Sequence, residues 1–279
     1  MGAGGRVRVG RGRPNYTLRR LLALTIVVVV AYSFWRLGAV VVDALGSSVK
    51  HPPSPSGGAT GPGPSPSPGF ALAPACAYGN RPAERALPDD WASTLVDTEF
   101  RLPSTYVPPH LVSVAKAGFV GKSTLRIRAL VIANLGALRE AAAAAGHPID
   151  LVAAYRSYVQ QASLFERRKA HLGLRAARRK TAQPGHSEHQ LGTAVDFKTS
   201  GQPDVDAGWD STPTGRWIFE NAYRFGFVQS YPQGKTGVTC YAHEPWHYRY
   251  LGRDVAEAVH ASGLTLREFL WNQQHGSSG

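Results

Sequence analysis

Four side chains in two short strings have the types and spacing needed for metal-assisted hydrolysis. His189 and Asp196 lie seven apart in SEHQLGTAVDF, and Glu244 and His247 lie three apart in HEPWHYRY. Two imidazoles and one carboxylate form an N/N/O set that suits a divalent zinc, with the fourth position left to water. Glu244, close in the chain to a ligand, stands where a general base for that water is wanted. Spacing alone is a weak signal. The chain has ten histidines, and a lone His–Asp pair seven apart is commonly a surface coincidence.

The full strings are more specific. Ser187-Glu188-His189-Gln190-Leu191-Gly192-Thr193-Ala194-Val195-Asp196 and Glu244-Pro245-Trp246-His247 resemble the SxHxxGxAxD and ExxH motifs of the VanY-type zinc D-alanyl-D-alanine carboxypeptidases (LAS metallopeptidases). Tyr155-Arg156-Ser157-Tyr158, followed by Gln161, resembles that family's YRSYxxQ element. The three blocks come in the family's order, and the resemblance covers roughly Leu125 to Gly252. It implies Zn2+ as cofactor, His189, Asp196 and His247 as ligands and Glu244 as base. Left to the residues alone, Glu244 is equally a partner that orients a ligand histidine.

Arg156 offers a fixed charge that can polarise a scissile carbonyl or hold a terminal carboxylate with two hydrogen bonds; a structural salt bridge is the plainer alternative. Ser187, by resemblance, helps bind substrate. Gln161, Ser230 and Tyr231 are weaker candidates for the pocket wall, while Trp246 and Tyr248 read as core aromatics. GHSEH lacks the GxSxG elbow of a serine nucleophile. Two departures from the family pattern occur: Ala154 stands where Gly is common, and Gln160 precedes Gln161, leaving open which amide faces the substrate.

These side chains need elements to hold them. Leu125–Ala145 carries apolar residues at helical spacing and stops at Gly146-His147-Pro148. Ile149–Tyr155 is a strand candidate that delivers Arg156 at its end, and Tyr158–Lys180 reads as a helix interrupted near Gly173. Thr193–Phe197 alternates, which sets Asp196 opposite Val195 and Phe197, and Gly192 supplies a turn before it. Thr212-Pro213 begins a helix through Tyr223. Phe225–Ser230 and Trp246–Tyr250 read as strands, Asp254–Ala261 and Leu266–Trp271 as closing helices. Positions i and i+3 of a strand face opposite ways, so Glu244 and His247 require a bend, which Pro245 favours. Strands and helices in no regular βαβ order predict an α+β domain. The resemblance implies a small antiparallel sheet flanked by helices, as in the hedgehog/D,D-peptidase fold.

Composition divides the rest. Residues 1–20 hold Arg6, Arg8, Arg11, Arg13, Arg19 and Arg20 and no acidic side chain; an apolar run follows from Leu21 to Val42, broken only by Arg36. That predicts a basic cytoplasmic tail (1–20) and a transmembrane signal anchor (21–45), with the remainder outside. A signal peptide cleaved near Ala44, giving a secreted protein, competes with the anchor. Residues 46–75 are rich in Pro, Ser and Gly and read as a linker, leaving a zinc peptidase domain over 76–279 with its catalytic core at about 125–252. Six of the formal +12 charges belong to the tail, leaving +6 for the remainder, largely in one run from Arg167 to Lys180. No nucleic-acid motif accompanies that run, so nucleic acid is not an expected partner. Anionic wall polymer, lipid headgroups or plain solvation account for it. The two cysteines, Cys76 and Cys240, are expected to pair outside the cytoplasm.

The expectation is a membrane-anchored peptidase that hydrolyses the terminal D-Ala of peptidoglycan stem peptides. Rivals on the same fold are an L,D-carboxypeptidase, a D,D-dipeptidase or a wall endopeptidase. A non-catalytic, zinc-stabilised wall-binding module is a further rival, but it needs neither Glu244 nor Arg156.

Overall fold

The computed structural model describes Met1, residues 71–205 and residues 207–276. The expected cytoplasmic tail, the anchor over 21–45 and the linker up to residue 70 lie outside the described residues, Met1 apart.

The chain enters through two short strands, β1 (Arg81–Pro82) and β2 (Phe100–Arg101), which pair in parallel. A hairpin of β3 (Leu111–Ser113) and β4 (Arg126–Arg128) follows, antiparallel with Val112 opposite Ile127. The β4 strand corrects the helix expected from Leu125, because the helix α1 runs only over Ile132–Ala144. Arg-Ile-Arg alternates, so a pleated segment buries Ile127 fully while Arg128 reaches the Pro88 carbonyl at 2.7 Å. A single turn of 3-10 helix then leads into α1, whose Leu135, Leu138 and Ala142 recur on one buried face.

Strand β5 (Ile149–Ala153) precedes α2 (Tyr158–Leu172) and α3 (Leu174–Lys180). The expected interruption falls at Gly173, with φ +76°, a conformation that costs a residue without Cβ little. Ser157 and Gln160 form a reciprocal cap at the start of α2: the Ser157 hydroxyl accepts from the Gln160 amide at 3.2 Å, and the Gln160 side chain accepts from the Ser157 amide at 2.9 Å. Strand β6 (Ala194–Thr199) is followed by α4 (Pro213–Asn221), capped by the Thr212 hydroxyl as its sequence predicts. Then come β7 (Phe227–Gln229), the short α5 (Thr236–Thr239), β8 (His247–Tyr250), α6 (Arg253–Ser262) and α7 (Leu266–His275). The β7 strand starts two residues later than expected because Gly226, at φ +87°, closes a preceding 3-10 turn.

The principal sheet is antiparallel throughout, in the order β5-β6-β8-β7. Its two inner strands divide their side chains by parity. Val195, Phe197, Tyr248 and Tyr250 join the main core with α1, including Leu135 and Leu138. Ala194, Asp196, His247 and Arg249 point to the other face and are also buried. This α+β arrangement is the one expected: a small sheet between helices.

A second apolar cluster joins Leu266 and Leu270 of α7 and Val259 of α6 to Phe100 and Leu95. Cys76 and Cys240 are bonded, with Cα atoms 5.3 Å apart. Arg267 on α7 adds an ion pair to Asp97 at 2.7 Å and a hydrogen bond to the Pro74 carbonyl at 2.9 Å.

Candidate active site

Asp196 on β6 and His247 on β8 are directly opposed in the sheet register, so their side chains share a face. The Asp196 Oδ1 lies 3.0 Å from His247 Nδ1, and Asp196 Oδ2 lies 3.3 Å from His189 Nε2. His189 comes from a turn of 3-10 helix, Glu188–Leu191, which ends on Gly192 at φ +72°. A side chain at Gly192 would meet Pro108 at 2.8 Å, so the turn expected there requires glycine both for its dihedral and for space. One donor atom from each of His189, Asp196 and His247 falls within 4.8 Å of the others, and all three residues are buried.

The imidazole tautomers suit a metal. His189 Nδ1 is 2.7 Å from the Ala154 carbonyl, so Nδ1 carries the proton and Nε2 keeps its lone pair toward Asp196. His247 Nε2 is 3.0 Å from Glu188 Oε2, which fixes the opposite tautomer and turns Nδ1 inward. A tetrahedral ion with bonds of about 2.0–2.1 Å needs ligand atoms roughly 3.3 Å apart. One Asp196 oxygen lies 3.0 Å from His247 Nδ1 and the other 3.3 Å from His189 Nε2, so the carboxylate bridges the two imidazole nitrogens that a cation would draw together.

The charges are strongly coupled. Burial alone would raise the Asp196 carboxyl, but the imidazoles, His189 foremost, hold it well below the usual carboxylate range. Burial lowers His189. Burial would lower His247, but the hydrogen bonds its ring nitrogens donate to Asp196 and Glu188 outweigh it and push the imidazole up to about 10. Without a cation the cluster thus holds a proton on His247 between two carboxylates, and a metal ion would supply that positive charge instead.

Behind the ligands lie two charged residues that the motif spacing does not assign a role, Glu188 and Arg249. The Glu188 carboxylate accepts from Ser230 Oγ at 2.6 Å, from His247 Nε2 and from Arg249 Nη1 at 3.0 Å. Burial would raise its pKa, yet Arg249 and His247 draw it down to about 2. Arg249, fully buried, also donates to the Trp91 and Thr94 carbonyls at 2.8 Å. A signal existed: Arg249 lies two residues beyond His247, hence on the same strand face, where a buried guanidinium demands a carboxylate. Ser230 therefore departs from its expected place. It sits behind His247, bonded to Glu188, rather than on the pocket wall.

In front of the ligands lies a cavity of about 150 Å³, whose lining includes Arg156, Gln161, Ser187, Tyr231, Glu244 and Trp246. The bend expected between Glu244 and His247 is a turn closed by the His247 amide donating to the Glu244 carbonyl at 3.1 Å. Burial raises the Glu244 carboxyl to about 7, reinforced by Asp196 and opposed by His247 and Arg156. Arg156 follows β5, and its amide donates to the His189 carbonyl at 3.2 Å. Its Nη1 donates to Gln161 Oε1 at 2.8 Å, while Gln161 Nε2 donates to the Ala182 carbonyl at 2.6 Å. Burial lowers the guanidinium pKa, and Asp196 and Glu244 act the other way.

The open question between the two glutamines resolves by position: Gln161 is buried against Arg156, and Gln160 caps the helix outside. Tyr248 is a core residue as expected. Trp246 both packs on the core and lines the cavity. Tyr241, not singled out by sequence, packs its ring 5.1 Å from Tyr231, whose own ring lies 4.9 Å from His247.

The D-alanyl-D-alanine carboxypeptidase family VanY matches residues 124–253. The putative carboxypeptidase YodJ of Bacillus subtilis (strain 168) is 36% identical over 178 residues, 63% of this chain and 65% of that protein. The chain spans 65% or less of the length of each of the four curated relatives it matches. Among solved structures, the LdcB LD-carboxypeptidase superposes with a TM-score of 0.60 at 29% identity, covering 70% of this chain and 98% of that one. A variant of the vancomycin resistance D,D-pentapeptidase VanY in complex with Zn(II) superposes with a TM-score of 0.55 at 33% identity, covering 64% and 99%.

Proposed function

Because this chain belongs to the VanY family of D-alanyl-D-alanine carboxypeptidases, we propose that it is a zinc-dependent carboxypeptidase that removes the terminal D-Ala from peptidoglycan stem peptides. One observation carries the reading: three inward-turned donor atoms within 4.8 Å of one another open onto a cavity whose wall holds both a carboxyl with a pKa near 7 and a guanidinium. His189, Asp196 and His247 would hold the metal. Zinc, when bound, supplies a Lewis acid that lowers the pKa of water to about 7 and polarises a carbonyl.

The remaining chemistry falls to the chain's own side chains. Glu244 takes the proton of the attacking water and returns it to the amine that leaves with D-Ala; burial keeps its affinity for that proton close to neutrality, where transfer in both directions is feasible. Arg156, oriented by Gln161, binds the terminal carboxylate in a two-pronged contact. Ser187 lines the cavity beside His189, and its hydroxyl has no protein partner among the described residues, so it is free to contact the peptide. Tyr231 and Trp246 form the wall.

A second reading changes the residue before the scissile bond. The LD-carboxypeptidase superposes with the higher TM-score, 0.60 against 0.55, so an L,D-specific activity is the alternative. Digestion of defined muropeptides decides. Loss of one D-Ala from a pentapeptide ending in D-Ala-D-Ala supports the D,D reading. Cleavage of the tetrapeptide alone would replace it with the L,D one, and release of a dipeptide or cutting of cross-links would replace both.

The location follows the same reasoning. The tail, anchor and linker over 1–75 would place the enzyme outside the cell on a membrane tether, with the form cleaved near Ala44 as the alternative. The arginine-flanked apolar run supports this, and so does the Cys76–Cys240 bridge, a bond that persists in oxidising compartments. Protease accessibility in intact cells, with fractionation of the full chain, tests it.

A further inference from the structure

The basic run on α2 and α3 is not uniformly solvated. Lys169 pairs with Glu166 at 2.6 Å, and the Arg178 guanidinium lies 5.1 Å from the centre of the Tyr78 ring. Arg168 and Lys180, by contrast, line the mouth of the cavity in front of the metal ligands, are exposed, and have no side-chain ion pair or hydrogen bond among the described residues. Two unpaired cations at the entrance of a substrate cavity are a physical feature that the carboxypeptidase chemistry above does not use.

Their placement has a direction. Gln161, Leu164 and Arg168 stand at i, i+3 and i+7 of α2, on one helical face, and all three line the cavity. Gln161 marks the inner end, since it holds Arg156. Seven residues of helix advance about 10 Å, a distance spanned by roughly three residues of extended peptide. Lys180, at the end of α3, lines the same cavity two residues before Ala182, whose carbonyl is bonded to Gln161. Along α2 a peptide therefore meets a cation at the inner end, the apolar Leu164 and then Arg168, while Lys180 adds a second exposed cation to the same lining.

We propose that Arg168 and Lys180 form a specificity subsite for a free carboxylate side chain carried by the substrate two to three residues before its C-terminus. The subsite distinguishes a stem peptide bearing that carboxylate from the same peptide bearing a carboxamide. This rests on the carboxypeptidase reading for the direction in which the peptide lies. Because both cations are exposed, the discrimination is modest, about three- to tenfold in affinity, and it shrinks as salt screens it.

The test uses two synthetic pentapeptides ending in D-Ala-D-Ala, identical except for a carboxylate or a carboxamide on the third side chain. Binding is measured on zinc-loaded Glu244→Gln protein and turnover on the unsubstituted enzyme, each with and without Arg168→Ala/Lys180→Ala. Preferential binding of the carboxylate peptide, lost in the double variant, weakened at high salt and retained in Arg168→Lys, supports the subsite. Equal binding of the two peptides, a preference that survives the double variant, or no binding of either overturns it. A binding preference without release of D-Ala from either peptide would retain the subsite and overturn the carboxypeptidase reading instead.

Discussion

Arg249 and Glu188 form a buried ion pair directly behind His247: Nη1 lies 3.0 Å from Oε1, and the other carboxylate oxygen meets His247 Nε2 at 3.0 Å. The pair sets the orientation of a metal ligand without touching the cavity. Glu188→Gln should therefore weaken zinc binding by about 10–100-fold, read by competition with a chelating dye. Arg249→Leu leaves a buried carboxylate without its counter-charge and should destabilise the fold by about 3–5 kcal/mol, read by urea unfolding. His247→Ala should abolish both zinc and activity. Unchanged metal affinity in Glu188→Gln would show that His247 needs no such support.

Glu244→Gln keeps size and polarity but accepts no proton, so zinc should stay while turnover falls by about 10²-fold or more. The pH profile carries a sign. The base must be deprotonated to act, so kcat/KM falls as pH drops through the pKa of Glu244. Burial raises that carboxyl to about 7, and a nearby dication draws it down. The acidic limb is thus expected at or below pH 7, and residual activity in Glu244→Gln should lack it. A limb that persists in the variant assigns it to another group.

Glu188 also makes stability depend on pH. Its folded pKa, about 2, lies below the ordinary 4.5, so its contribution is present above about pH 4.5 and lost as pH falls toward 2. Urea unfolding of metal-free protein between pH 5 and 2.5 should show this loss, with a shallower dependence in Glu188→Gln. Equal slopes in the two proteins would locate the acid sensitivity elsewhere.

The Cys76–Cys240 bridge closes a loop with a sequence separation of 164. Exported protein should show no free thiol until reduced, and replacing both cysteines with serine should cost about 2–5 kcal/mol. Labelling of both thiols in the native exported protein would contradict the bridge.

Arg156→Lys keeps charge but loses the planar fork. Its activity should fall chiefly through KM if Arg156 holds the terminal carboxylate, and the unsubstituted enzyme should ignore a C-terminally amidated pentapeptide. Efficient cleavage of that amide would remove the carboxylate-binding role.

The metal cluster was legible because each of its parts lies in a compact string. Ligand chemistry constrains residue type, and β6 and β8 read as strands from their own alternation. Glu188 and Arg249 were hidden by the same logic: 61 positions separate them, and only the register of β6 with β8 and the turn before Gly192 bring them together. Ser230 was misplaced because a hydroxyl near the motif can face either side of a strand end, and only the buried Glu188 decides which. The helix expected from Leu125 began late because Arg126-Ile127-Arg128 fits both periods, and pairing with Val112 across the hairpin selects the strand.

The bridge has a mechanical consequence. Cys240 stands seven residues before His247, and Cys76 lies at the start of the domain. A pull on the chain ahead of Cys76 therefore reaches the β8 side of the metal cluster through the S–S bond and a few peptide units. Residues 77–239, which include His189 and Asp196, lie in parallel with that short route rather than in series with it. Load applied there thus has a short covalent route to β8, and the pairing of Asp196 with His247 passes it on to β6.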